Sequence, residues 1–291
     1  MRTRTLDSSP SILPLYARAA APLIPGASLL PFLPGGGGEI PELELTLNGV
    51  RADRDAVAAY DRVCGFALRD HLPPTYPHVL AFPLQMAVMA DGSFPFGAVG
   101  LVHLENRIVQ RRPIGTGEEL ALKVRPTPLQ PHPKGRTFTL LTEARAGDEL
   151  VWESASTILR RGGSNETGSY GERTPDAGAD FTPSAEWDLG GDLGRRYAAV
   201  SGDRNPIHMH SLTARPLGFP AAIAHGMWTK ARCLAALESR LPESFAAEVV
   251  FRRPILLPGT VEFGSLAEGD RIEFFVRDAK EKTPHLEGRV K

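Results

Sequence analysis

Cysteine is nearly absent from this 291-residue chain: Cys64 and Cys233 are the two, both in apolar text and far apart. That excludes a disulfide-stapled scaffold and a cysteine-rich zinc module, and reads as buried, reduced thiols. Long hydrophobic runs are also missing. None reaches the ~18 residues that a membrane-crossing helix needs. The apolar stretch AAAPLIPGASLLPFLPGGGG (19–38) is cut by prolines, and it does not follow directly on the basic MRTRT start as the core of a secretion signal would. The expected location is therefore the cytoplasm, with no membrane partner. An excess of charge of one sign is lacking too. Thirty-three basic residues face thirty-four acidic ones, for a net of −1. A sequence-blind nucleic-acid binder needs a surplus of Lys and Arg, so nucleic acid is not an expected partner.

What is present falls into zones. Residues 1–40 are rich in Pro and Gly and read as an N-terminal arm. Residues 41–160 end in RTFTLLTEARAGDELVWESASTILR, which alternates apolar and polar positions around a Gly-Asp turn, as a hairpin does. Residues 161–191 are polar, Gly- and Pro-rich and without periodicity, and read as a linker. Residues 192–291 form the last zone.

The second and last zones repeat one another. Tyr60-Asp-Arg-Val-Cys-Gly65 matches Tyr197-Ala-Ala-Val-Ser-Gly202. PHVLAFPLQMAVMA (77–90) matches AHGMWTKARCLAAL (224–237), and RRPIGTG (111–117) matches RRPILLPG (252–259). Tyr60 to Arg112 spans 52 positions and Tyr197 to Arg253 spans 56. Each copy reads as a short helix, a loop, a longer apolar helix and several strands. In the C-terminal copy Ile223, Met227, Ala231, Leu234, Ala235 and Leu237 return to one face at helical spacing, which predicts a helix from near His225 to Arg240, stopped by Pro242. AAEVVFRRPIL, TVEFGSLAEG and DRIEFFVRDA follow as strands. The pattern is α+β, an antiparallel sheet wrapped around a buried helix.

The chemistry concentrates in YAAVSGDRNPIHMH (197–210). Asp203, Asn205, His208 and His210 lie within eight residues, and His225 follows. Imidazole and carboxylate suit zinc, but histidines two apart share a face only in a strand, and Pro206 argues for a loop. SGDRNP is also good turn and cap text in its own right. The third reading is general acid–base catalysis, which needs a carboxylate, an imidazole and a polarising donor around one cavity. Gly226 offers that donor. The first N–H groups of a helix have no internal partner and sit at the positive end of its dipole.

These residues, Y-x-x-x-S-G-D-x-N-P-I-H with a downstream H-G-M, closely resemble the motif of the MaoC-like, (R)-specific enoyl-CoA hydratase family. The resemblance is strongest from about 192 to 262. The duplicated length is similar to a double hot dog, two tandem hot dog folds in one chain. The resemblance implies that Asp203 and His208 hold and activate a water, that the Gly226 N–H polarises a thioester carbonyl, and that the substrate is a trans-2-enoyl thioester of coenzyme A or of an acyl carrier protein. It implies no cofactor beyond the coenzyme A of the substrate, and no metal. Asn205, His225 and Met227 are expected beside the substrate: Asn205 to fix the loop or orient the pair, His225 as the residue at the helix start, and Met227 as a position that fits core better than a ligand contact. His210 is read as solvated or structural. A double hot dog mimics a dimer, so either a monomer or a homodimer is expected.

In the N-terminal copy Phe66 stands at the position of Asp203, and His78-Val79-Leu80 replaces H-G-M. That copy is expected to be catalytically degenerate. Pro83 is expected to kink or delay its helix. Phe66, Phe82, Leu84 and Met86 are candidates for shaping an acyl pocket, or for ordinary core. The paired arginines Arg111-Arg112 and Arg252-Arg253 suit phosphates or strand entry. Two other functions stay open. One is a hot dog thioesterase, which would want an acid on the long helix, where none precedes Glu238. The other is a non-catalytic acyl-CoA-binding protein.

Overall fold

RTRTL at the N-terminus has no apolar alternation, yet it forms a strand. A computed structural model of the chain describes residues 2–20, 38–98, 100–162 and 182–291. The first half holds β1 (Arg2–Leu6), α1 (Ile12–Ala20), β2 (Leu43–Arg51), α2 (Arg54–Cys64), α3 (Tyr76–Met89), β3 (Val102–Gln110), β4 (Glu119–Pro126), β5 (Gln130–His132), β6 (Gly135–Ala146) and β7 (Glu149–Arg161). The second half holds β8 (Ala185–Leu189), α4 (Leu193–Ser201), α5 (Pro206–Met209), α6 (Ser211–Ala214), α7 (Gly226–Ala236), β9 (Phe245–Phe251), β10 (Gly259–Glu268), β11 (Arg271–Asp278) and β12 (Pro284–Val290). Among the described residues no helix is long and apolar enough to cross a membrane.

The chain forms two compact units, and neither is continuous. One comprises Met1–Ala52, Pro77–His103 and Gly117–Tyr170; the other comprises Asp53–Tyr76, Leu104–Thr116 and Gly171–Lys291. The first unit has the strand order β1-β2-β4-β6-β7, with β5 on β6. β1 runs parallel to β2, so the start of the expected arm is an edge strand; 21–37 lie outside the described residues. All its side chains but Leu6 are exposed, so its pairing rests on backbone hydrogen bonds and leaves no apolar pattern in the sequence. The β6–β7 hairpin turns at Gly147-Asp148, as the alternation predicts. α3 starts at Tyr76 and continues through Pro83, so the proline does not delay it.

The second unit has the strand order β3-β9-β12-β11-β10-β8. β8 corrects the expected linker of 161–191. Its Trp187 ring stacks on Phe263 at 5.0 Å, and Ala185–Leu189 pairs with β10, while β7 already extends through Arg161. Residues 163–181 of that linker lie outside the described residues. At the centre of this unit runs α7, buried on most of its circumference. It is shorter than predicted, because Glu238–Arg240 tighten into a 3-10 turn. Lys230 on α7 is fully buried, and its ammonium donates to Asn106 O (3.1 Å), Asn106 Oδ1 (2.5 Å) and Ala247 O (2.9 Å). Three acceptors match the three N–H bonds of the ammonium, while burial holds its pKa well below the ordinary lysine value.

α2, read from the repeat as part of the N-terminal copy, belongs to this second unit. The Trp228 indole N–H donates to Val63 O at 3.0 Å, and the Tyr60 and Tyr197 rings lie 6.0 Å apart. The repeated Tyr…Gly text is explained by what it folds into. Gly65 and Gly202 end α2 and α4 in the left-handed region, at φ 84° and 77°, where a side chain is disfavoured.

Candidate active site

The stretch after Gly202 folds through local side-chain bonds. The Asp203 N–H donates to Ser201 Oγ (3.2 Å), and Asp203 Oδ1 accepts from the Asn205 N–H (3.1 Å). Asn205 caps α5, its Oδ1 accepting from the Ile207 N–H at 3.4 Å, and Pro206 opens that helix. α5 is a single turn, but it buries His208 while leaving His210 exposed. His210 caps α6 instead, its Nδ1 accepting from the Leu212 N–H at 3.2 Å.

His208 Nδ1 sits 2.8 Å from Ile223 O. A carbonyl only accepts, so Nδ1 carries the hydrogen and Nε2 presents a lone pair. Burial lowers the pKa of His208, against the opposing pull of Asp203, so the ring is a neutral base near pH 7.

His225 lies under the pair. Its ring stacks on His208 with centroids 3.6 Å apart and planes at 26°, and the Tyr197 ring is 4.8 Å away. Its Nε2–H donates to the backbone carbonyl of Asp203 at 2.9 Å and lies 3.8 Å from Asp203 Oδ2. Burial, then the neighbouring His208, push its pKa down to about 3, although Asp203 pulls it up. Asp203, His208 and His225 thus offer ligand atoms within 4.8 Å of one another. A zinc ion needs lone pairs that converge on one point 2.0–2.2 Å away. Two imidazole planes stacked 26° from parallel aim theirs nearly side by side, which suits proton handling better than coordination.

Gly226 begins α7 as predicted. The first helical bond is from the Thr229 N–H to His225 O (3.1 Å), so the Gly226 N–H has no acceptor within the helix. A Cβ on Gly226 would stand 2.9 Å from Phe251 Cε1, so the close approach of that ring requires glycine. Met227 is buried in the first turn of α7.

Several expected residues stand elsewhere. Phe66 is buried and stacks on Tyr60 at 6.4 Å, two rings from His225 along the row Phe66, Tyr60, Tyr197. Phe82, Leu84 and Met86 are core residues of α3 in the first unit. Arg252 is engaged with Glu287, at 2.8 Å from Nε and 2.5 Å from Nη2, so it serves the sheet. Two positioning groups have no signal in the sequence. One is Ile223 O, a backbone atom. The other is Gly194, where a Cβ would run into His208 O. Tyr197 opens the motif, but the sequence does not show that its ring packs against His225.

A helix wrapped by an antiparallel sheet, its first turn beside a carboxylate and a neutral imidazole, is the architecture of a hot dog protein, and its relatives make it an enzyme of the hydro-lyase class. The chain belongs to the MaoC-like dehydratase family: the MaoC like domain matches residues 175–287. It is 36% identical over 98% of its length to 3-hydroxyacyl-thioester dehydratase X of Mycobacterium tuberculosis, covering 99% of that protein. The crystal structure of HtdX from the same organism superposes with a TM-score of 0.76 at 34% identity, covering 85% of this chain and 98% of that one. A second M. tuberculosis structure, described as a double hotdog fold, matches at TM-score 0.53 and 14% identity over 88% of this chain and 98% of that one, which speaks for the fold alone.

Proposed function

We propose that this hydro-lyase interconverts trans-2-enoyl and (R)-3-hydroxyacyl thioesters, with Asp203 and His208 as the proton-handling pair. Its full-length relative is named for a 3-hydroxyacyl thioester. The observation that carries the reading is the fixed tautomer of His208. Nδ1–H is held by Ile223 O, leaving Nε2 free to accept a proton beside the Asp203 carboxylate. A water held by the two attacks C3 of the conjugated thioester. The pair takes one proton from the water as hydroxide adds to C3 and returns that proton to C2, so H and OH are added across the double bond and both groups end as they began. The Gly226 N–H stabilises the enolate oxygen that forms between the steps. Dehydration retraces the path. The chemistry asks for no resident cofactor, and coenzyme A or a carrier protein serves as the handle of the substrate.

A thioesterase would place an acid near the start of the long helix. The first acid after Gly226 is Glu238, twelve positions on and so ~18 Å along the helix direction. Glu238 is already bound to the Ala67 N–H (3.0 Å) and to Arg69 Nε (2.8 Å).

The test follows the enoyl absorbance of a trans-2-enoyl-CoA series, with chiral analysis of the product. The expected result is loss of the enoyl band without thiol release, an (R)-3-hydroxy product, and a fall in kcat of ~10²–10⁴-fold in Asp203→Asn and in His208→Gln. Thiol release with the band intact would replace this reading with the thioesterase.

A further inference from the structure

The proton transfers above leave His225 without a role, yet its position ties three parts of the site together. It precedes Gly226 in the chain, and its carbonyl accepts the Thr229 N–H (3.1 Å) and hydroxyl (3.2 Å), which fixes the start of α7. Its Nε2–H donates to the backbone of Asp203, and its ring covers a face of His208. Although it stands at the cap position, its side chain accepts no helix N–H. Its Nδ1 is buried and has no hydrogen-bond partner among the described residues. A ring placed only to cap or to fill space has no need of this arrangement.

We propose that His225 is a positioning residue that holds the Asp203 loop and the His208 ring in register with the Gly226 N–H. It reaches the reaction through those groups. At 2% exposure its ring is closed off from solvent, and its one N–H is already committed. The role requires the neutral Nε2–H tautomer, because a proton on Nδ1 would be buried without an acceptor and set beside a second imidazole.

The inference rests on the hydratase reading, and the variants separate the two. His225→Gln restores an N–H at similar reach. His225→Phe keeps a ring against His208 and loses the donor. With trans-2-enoyl-CoA, His225→Phe is expected to lose kcat by ~30–100-fold with KM within about twofold, as displaced catalytic groups do. His225→Gln is expected to stay within about fivefold of the parent, the donor being restored. Parent kcat in His225→Phe, a change confined to KM, or equal losses in both variants would overturn the inference. Should His225→Phe not fold, imidazole 15N spectra of the parent decide: a bare Nδ1 and protonated Nε2 from pH 5 to 8 support the role, and a proton on Nδ1 in that range overturns it. Full activity in Asp203→Asn and His208→Gln would instead remove the hydratase reading itself.

Discussion

Two imidazoles buried face to face make the protein sensitive to acid. In the unfolded chain His225 titrates near the ordinary value of 6.5; in the folded protein its pKa is about 3, faced by His208 from α5, Asp203 from the preceding loop and Tyr197 from α4. Below pH 6.5 the unfolded chain therefore binds a proton that the folded one refuses. Stability is full above pH 6.5 and falls as the pH drops toward 3. At pH 5 His225 alone accounts for a loss of about 2 kcal/mol. Urea unfolding at pH 7.5 and pH 5 measures this, with His225→Gln as the reference; equal losses in the two proteins would remove His225 as the cause. The same residue scale shows what sequence text carries. Asp203, His208 and Gly226 were legible as candidates because their side chains, or the lack of one, are the motif. The tautomer of His208 was not, because it is set by Ile223 O, and every residue type carries a carbonyl there.

At the scale of elements, the first turn of α4 is the floor on which α5 stands. Gly194 approaches His208 O so closely that a Cβ would meet backbone, which cannot swing aside as a flexible side chain can. Gly194→Ala is expected to push α5 outward, destabilising the fold by about 1–3 kcal/mol as overpacking does, and to lower kcat by ~10²-fold through displaced His208. Gly117→Ala, where a Cβ meets nothing within 4 Å, is the control and is expected to be silent in thermal unfolding and turnover. Elements with clean periodicity were legible: the β6–β7 hairpin and α7. β12 carries no strand signature in the sequence. Its text PHLEGRV buries His285 and Glu287, which hides the alternation. Glu287 is tolerated there because Arg252 binds it. Gly288 lacks a side chain because the Phe274 ring occupies its place.

For the whole molecule, the internal repeat correctly announced two similar halves but suggested that each is one continuous stretch. Periodicity sees only neighbours along the chain, whereas unit membership is decided by contacts such as Trp228 Nε1 to Val63 O and Lys230 Nζ to Asn106. The second unit therefore needs Asp53–Tyr76 and Leu104–Thr116. Residues 171–291 expressed alone would leave the Lys230 ammonium short of two acceptors and β9 without β3, its antiparallel partner. That fragment is expected to lack a cooperative thermal transition and dispersed amide resonances. A well-folded monomeric fragment would contradict this account.

The discontinuity also bears on how the protein is made. A ribosome releases α2 and β3 long before α7 and β9 exist, Phe251 following Thr116 by 135 positions. At ~5–20 residues per second the nascent chain holds those pieces unpartnered for roughly 7–27 s. During that interval the apolar side of α2 and the open edge of β3 are what a chaperone, or another nascent chain, would meet first.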